Sequence, residues 1–437
     1  MNKVLIYSAQ ESSRFCHTLE VIFKHVLCID YTLVSKNEIM EANDTIKINY
    51  SNTSIADCFQ IHPHSLLFEK KIKEQSITID WEESVPFFFK TSEKATFNYD
   101  LFAMVFYMTS RYEEYLDSEL DDHGRFQAEN SLAYKNNFLE LPVVHLWIAK
   151  FQKKIEAQFS ERDFSVKKYK YINSIDIDIA YAYRGKKKSL LLASSLKNIL
   201  TLNFQELNIK LAYFFKNQQD PYDTYAYINK LKNKYKSNNL FFFLLGDYGK
   251  YDKNLSYKSN CLRLLIQKIE KSNAIGIHPS YNSNLNQSQL KKEINNLALI
   301  TGNKIFKSRQ HFLKLSLPST YENLIAQGIK EDYSMGFASR IGFRAGMCTG
   351  FPFFNLQTDT TSNLMLYPFQ IMDGTLNTYM KLTPLQATKK ISEITDRIKE
   401  VNGTFISLWH NSSLSDLYEW KNWRTVYEKL QLIAKDS

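Results

Sequence analysis

The stretch YKYINSIDIDIAYAY, residues 169–183, carries two carboxylates one residue apart, Asp176 and Asp178, where an apolar run ends. In a strand, residues i and i+2 share a face, so the pair would stand side by side. Two carboxylates this close repel, and one pKa rises unless a cation intervenes. A divalent ion on one and an arginine on the other would remove the conflict. Other apolar runs end in the same manner: AIGIH at His278, NKIFKSRQH at Arg309 and His311, GTFISLWH at His410, and FFFLLG just before Asp247. One carboxylate with imidazoles suits a divalent ion such as zinc. A second carboxylate can serve as general base on a bound water, and a histidine opposite can protonate a leaving group. The chemistry these residue types support is metal-assisted hydrolysis. A single buried histidine is more often a satisfied core residue; five strand ends delivering polar groups favour a site.

The elements that must position these groups alternate from about residue 168 onward. Strand-like runs at KYINSID, NLFFFLLG, AIGIH, NKIFKSRQH and GTFISLWH are separated by helical patterns. QSQLKKEINNLALITG places Leu290, Ile294, Leu297 and Ile300 on one face before Gly302, an amphipathic helix with a glycine stop. PSTYENLIAQG offers Ser319 and Glu322 as a capping box. SDLYEWKNWRTVYEKLQLIAK is expected to close the chain as a helix. This rhythm implies a parallel sheet or a barrel, whose active site would lie at the carboxyl ends of the strands. Residues 1–165 read differently, with short strand candidates and the helical patterns NYDLFAMVFYMTSRYEEYL and PVVHLWIAKFQKKIEAQF. They are expected to form a smaller α+β domain, joined by a linker to a second domain over 166–437.

The 437 residues, 44% of them hydrophobic and 14% aromatic, suffice for two domains with real cores. The net charge of +9 is spread among acids, and the basic runs GKKKS and KNKYKS are short. No nucleic-acid motif accompanies them, so nucleic acid is not expected as a partner. A mild attraction to acidic glycans or membrane surfaces stays open. Five widely spaced cysteines without a CxxC pair point to reduced thiols. The N-terminus lacks a signal-peptide core, and no run reaches the ~18 apolar residues of a membrane span. A cytoplasmic protein is the expectation.

The order and spacing of these motifs over about residues 168–415 resemble the polysaccharide deacetylases, the metal-dependent carbohydrate esterases of family four. The resemblance implies a distorted (β/α) barrel that removes acetyl groups from sugars. It makes Asp176 of SIDID the base and Asp178 a metal ligand, with His278 of HPSYN a second ligand. Arg309 of SRQHF would hold the base carboxylate, and His410 of ISLWHN would be the general acid. Arg344 of GFRAG would touch substrate, and GIKEDYSMGF resembles a further family stretch. A bacterial subgroup with an uncharacterised N-terminal domain is suggested by RYEEY (Arg111–Tyr115) and by Asp122–Phe126 of DDHGRF.

One position departs from the family pattern: Asn282 stands where a second metal histidine belongs. Three completions stay open. Asn282 or a water fills a looser site; His311, two residues after Arg309, replaces the imidazole; or the site binds metal poorly. The implied function is a hydrolase of amide or ester bonds that deacetylates an amino-sugar-containing glycan or its precursor. The alternative is a catalytically degenerate relative that binds glycan or a partner in cell-surface polysaccharide synthesis. Asp247 and Trp409 are the remaining candidates for substrate contact, with a turn and a core position as their plainer readings. RYEEY reads as an ion-paired face or a domain contact, and DDHGRF as a turn.

Overall fold

The computed structural model describes residues 4–159, 167–186, 188–216 and 218–435. The expected linker, just before Phe164, falls in residues 160–166, which with Lys187 of the GKKKS run lie outside the described residues. The chain builds two main sheets, one from each half.

The first sheet orders its strands Tyr31–Leu33, Val4–Ser8, Ile46–Tyr50 and Phe59–Ile61, all parallel. Alternation along the strands divides their side chains between two faces. Val4, Ile6, Ile48 and Tyr50 meet helix Ser13–Leu19, where the Phe15 ring stacks on Tyr50 at 5.0 Å. Leu5 turns the other way, toward Ile39 of helix Lys36–Glu41. Helices therefore cover both faces, as a parallel sheet requires. This half is layered as α/β, where segregated α+β was expected, because short crossover helices rather than hairpins connect its first three strands. Helix Leu101–Thr109 is buried along its whole length. Helix Val143–Gln158 carries the chain toward the second half.

The second sheet runs Phe351–Asn355, Thr360–Leu366, Glu331–Asp332, Lys307–Ser308, Ala274–His278, Asn238–Leu244, Lys170–Ile177, Thr404–His410, Ile371–Met372. Every adjacent pair is parallel except the hairpin of its first two strands. One continuous stretch, 360–372, serves both ends of this order. Met365 and Leu366 pair with Glu331–Asp332, and Ile371 and Met372 pair with Ser407 and Leu408. In between, the Tyr367 amide donates to the Asp332 carbonyl at 2.8 Å and the Gln370 amide to Ile406 at 3.1 Å.

Local chemistry explains where elements stop. Helix Gln287–Thr301 ends at Gly302 with φ 76°, as expected. The strand read into NKIFKSRQH shrinks to Lys307–Ser308, because the chain turns at His311–Leu313 through Phe312 at φ 59°. Helix Ser319–Ala326 begins one residue early, after Pro318. Ser319 is then already inside the helix, and the expected capping box does not form. The last helix is only Trp423–Ala434; Asn422 at φ 71° and the turns before it interrupt the longer pattern.

One apolar cluster extends from Val4 to Ala434 and spans both halves. Backbone bonds lock the halves where Phe343 donates to Leu139 at 2.8 Å and Val144 to Gly346 at 3.1 Å. Gly342 stands between them at φ 124°, and a Cβ there would meet the Leu139 carbonyl at 2.4 Å. Only glycine permits that approach.

Candidate metal centre

The site grows from the carboxyl ends of adjacent parallel strands. Register places Asp176 beside His410 across one strand pair. His278 ends the strand Ala274–His278. Arg309 and His311 follow the short strand Lys307–Ser308. Asp176, His278, His311 and His410 line a cavity of about 190 Å³ with Leu408, Met372 and Phe312, and Arg309 stands behind Asp176.

Asp176 accepts from the Arg309 guanidinium at 3.0 Å. Arg309 is buried, donates also to Ser174 Oγ at 2.8 Å and to the Tyr333 carbonyl at 2.9 Å, and lies over the Phe242 ring at 4.7 Å. So many partners fix the guanidinium, and through it the carboxylate. Asp178, just past the strand end, faces three imidazoles. The Nε2 atoms of His278, His311 and His410 lie 3.2, 3.6 and 3.7 Å from its oxygens.

The other ring nitrogen of each histidine is already committed. His278 Nδ1 meets the Arg309 carbonyl. His311 Nδ1 meets Asp252 at 2.8 Å, and His410 Nδ1 meets Asp373 at 2.8 Å. A carbonyl or an ionised carboxylate only accepts, so each Nδ1 carries a proton and donates it. Each Nε2 then points a lone pair at a carboxylate, an arrangement that calls for a cation between them, proton or metal. Asp178 Oδ1 is buried without a hydrogen-bond partner.

The electrostatics express the same demand. Burial alone would raise the Asp178 carboxyl, yet the nearby rings of His311 and His410, with His278 beside them, hold it well below the usual range. Burial would lower His311, but Asp178 and Asp252 push it up to about 9. His410 rises to about 10 against its burial, because Asp373 and Asp178 face it. Ligand atoms of Asp178, His278 and His311 all lie within 4.8 Å of one another, close enough to hold one ion. Two imidazoles and a carboxylate, each imidazole backed by an acceptor, form a donor set suited to zinc or another divalent transition metal.

The remaining sequence candidates fall elsewhere. Asn282 is exposed on the turn Tyr281–Leu285, outside this cluster, and His311 occupies the third corner. Asp247 is exposed and paired with Lys292 at 2.8 Å. Arg344 is buried against Glu114, with contacts of 2.9 and 2.5 Å, and lies outside the cavity lining. Trp409 points away from the cavity, because it alternates with His410 and packs on Tyr427 at 4.9 Å. RYEEY is a buried, ion-paired hub that also reaches the second half. Arg111 binds Glu113 and Glu114 at 2.7 Å each, and Glu114 reaches across to Arg344.

Three site residues were not picked out from the sequence. Asp373 follows Ile371–Met372, the same end-of-strand signal that marks His278 and His410. Asp252 sits in the polar run GDYGKYD and carries no such mark. Arg125 comes from the first half. It is anchored by Asp121 at 2.7 Å, donates to the Phe312 carbonyl at 2.7 Å, and lines the cavity. The DDHGRF turn thus forms part of the cavity wall. A second cavity, about 370 Å³, lies elsewhere, at the carboxyl ends of Val4–Ser8 and Ile46–Tyr50. Its ionisable lining is Tyr50, His64 and Glu69, without a cluster of imidazoles and carboxylates, so the chemistry belongs to the smaller one.

Residues 4–160 match a family of unknown function, DUF7033. No curated protein matches. Among solved structures, a putative polysaccharide deacetylase from Mycobacterium smegmatis is similar at 12% identity and TM-score 0.38, over 61% of this chain and 83% of its own. A polysaccharide deacetylase from Bacillus cereus follows at 10% and 0.28, over 61% and 86%. A CE4-family pseudoenzyme from Bacillus anthracis is similar at 11% and 0.29, over 61% and 62%. These superpositions are loose, and the functional reading rests on the side chains of this chain.

Proposed function

We propose that the chain is a metal-dependent hydrolase of the polysaccharide deacetylase type, acting on an acetylated amino-sugar glycan or its precursor. The observation that carries this reading is the convergence of His278, His311 and His410 on Asp178, each imidazole oriented from behind by an acceptor. The barrel is supported by the stretch 360–372, which ties one end of the sheet to the other. The division near residue 165 is supported by the separate sheets.

Asp178, His278 and His311 would hold the ion. A bound divalent ion supplies a Lewis acid for the acetyl carbonyl and acidifies water. Asp176 is the base that takes the proton of the attacking water, and Arg309 aims its carboxylate. His410, oriented by Asp373, faces the cavity and is the donor to the departing amine or alcohol. Arg125 and Phe312 confine the substrate from the side of the first half. The five unpaired cysteines support a reducing, cytoplasmic setting and hence a precursor substrate.

The test is metal content and acetate release. Purified protein should bind about one zinc, cobalt or nickel ion, and Asp178→Ala and His311→Ala should each lose it. Asp176→Asn should keep metal yet release no acetate from acetylated amino sugars. A wild type that takes up none of these metals would sink the reading and favour a glycan-binding relative.

A further inference from the structure

Three helices lie between the strand Lys170–Ile177 and the strand Asn238–Leu244, and the first two, Lys188–Leu200 and Phe204–Phe215, form a hairpin ahead of Tyr225–Tyr235. Soluble surfaces expose large apolar side chains singly. Here they accumulate. Leu192, Leu196 and Leu200 recur every fourth residue along the first helix, all exposed, Leu200 at 84%. Residues four apart share a helix face, so they form one ridge. Leu202 and Phe204 are exposed at the tip, and Phe215, 82% exposed, continues the surface on the second helix. Elsewhere among the described residues the exposed large apolar side chains are dispersed.

The charge of the same segment is equally uneven. Residues 184–216 hold Arg184 and the lysines 186, 187, 188, 197, 210 and 216 against a single acid, Glu206. That is seven minus one, or +6, of the +9 carried by the whole chain; of these, Lys210 is buried against Ser194 and Glu206 and does not face outward. Apolar exposure joined to concentrated positive charge is the pattern of an interfacial element, apolar residues entering the acyl boundary and cations meeting anionic headgroups. Helices of 13 and 12 residues are too short to cross a bilayer.

The base of this hairpin is fixed to the rim of the candidate centre. The Asp220 carboxylate accepts from the amides of Ala182, Tyr183 and Arg184 at 2.8, 2.8 and 2.9 Å. Asn411, next to His410, donates to the carbonyls of Ile179 and Tyr222 at 3.0 Å each, one on either side of the insertion. The docking element and the centre therefore share one end of the sheet.

We propose that the hairpin Lys188–Phe215 docks the protein on an anionic membrane surface. This goes beyond the hydrolase reading and does not depend on it. The experiment is co-sedimentation of the full chain with vesicles of phosphatidylcholine alone and with added phosphatidylglycerol, at low and high salt. Binding should require the anionic lipid and weaken with salt. Leu200→Glu and Phe215→Glu should each reduce it roughly tenfold or more. Lys216→Gln, at an exposed cation beside Phe215, should reduce it by about fivefold. Thermal melting confirms that the variants fold, since both apolar side chains are exposed. The proposal is overturned if anionic vesicles leave the protein in solution at low salt, or if the glutamate variants bind as the wild type does. It is equally overturned if light scattering shows a dimer that Leu200→Glu dissociates while vesicles are ignored; the face then covers a second copy.

Discussion

Asp100 and Asp178 are two carboxylates of one chain, each facing a packed region near a sheet, and their environments drive them in opposite directions. Burial pushes Asp100 up to about 6, and its partners soften that rise only in part. Those partners are the Tyr50 hydroxyl at 2.6 Å and the amides of His64 and Ala103 at 2.6 and 3.0 Å. All are neutral, and together they make Asp100 the cap of helix Leu101–Thr109. Asp178 loses water too, but imidazoles that can carry charge surround it and hold its carboxyl well below the usual range. Burial therefore does not distinguish a structural carboxylate from a chemical one; the charge available to its neighbours does.

The sharpest break of this pair is Asp178→Asn against Asp100→Asn. Asp178→Asn should reduce metal uptake to background, while folding stability changes little. Asp100→Asn should leave metal content intact. Isothermal titration with zinc reads both, and equal losses in the two variants would abolish the distinction.

Next in size is the hub between the halves. Glu114 is held down to about 2, against its own burial, by Arg344 and Arg111. Glu114→Gln leaves the buried Arg344 without a carboxylate and Arg111 with Glu113 alone, and breaking such a buried pair costs about 3–5 kcal/mol, measurable by urea unfolding. The sign of its pH dependence follows from the lowered pKa. Its contribution is present above the ordinary 4.5 and disappears as pH falls toward about 2. The wild type should lose stability over that window more steeply than Glu114→Gln.

A smaller effect is expected behind the centre. Asp252 orients His311 without facing the ion position, so Asp252→Asn should weaken metal binding by about 10–100-fold. Unchanged affinity would show that His311 needs no such support. The smallest effect returns to Asp100. Its raised pKa means stability present below the ordinary 3.8 and lost as pH climbs through about 6. Asp100→Asn should flatten that slope and cost on the order of 1 kcal/mol through the weakened cap, as thermal melts across this range would reveal.

Much of the centre was legible because strands alternate and end. An apolar run that stops at an ionisable residue delivers it to the rim, and this rule finds Asp176, Asp178, His278, Arg309 and His410 from spacing alone. The same rule delivers His311, but as the third ligand it was readable only as one of several completions. Asp247 shares the signal but lies outside the cluster, since its strand end turns to solvent and meets Lys292. Arg344 illustrates the opposite limit. Its place in a glycine-flanked loop says nothing about Glu114, which is 230 residues away in sequence.

The sequence by itself determined the periodic elements, the parallel alternation of the second half and the residue types gathered at its strand ends, because these depend on neighbours a few positions apart. Only the tertiary structure decided that His311 rather than Asn282 faces Asp178, that Asp252 and Asp373 stand behind the imidazoles, and that Arg125 crosses from the first half into the cavity. Those outcomes depend on loop paths and on contacts between distant segments, and packing settles both.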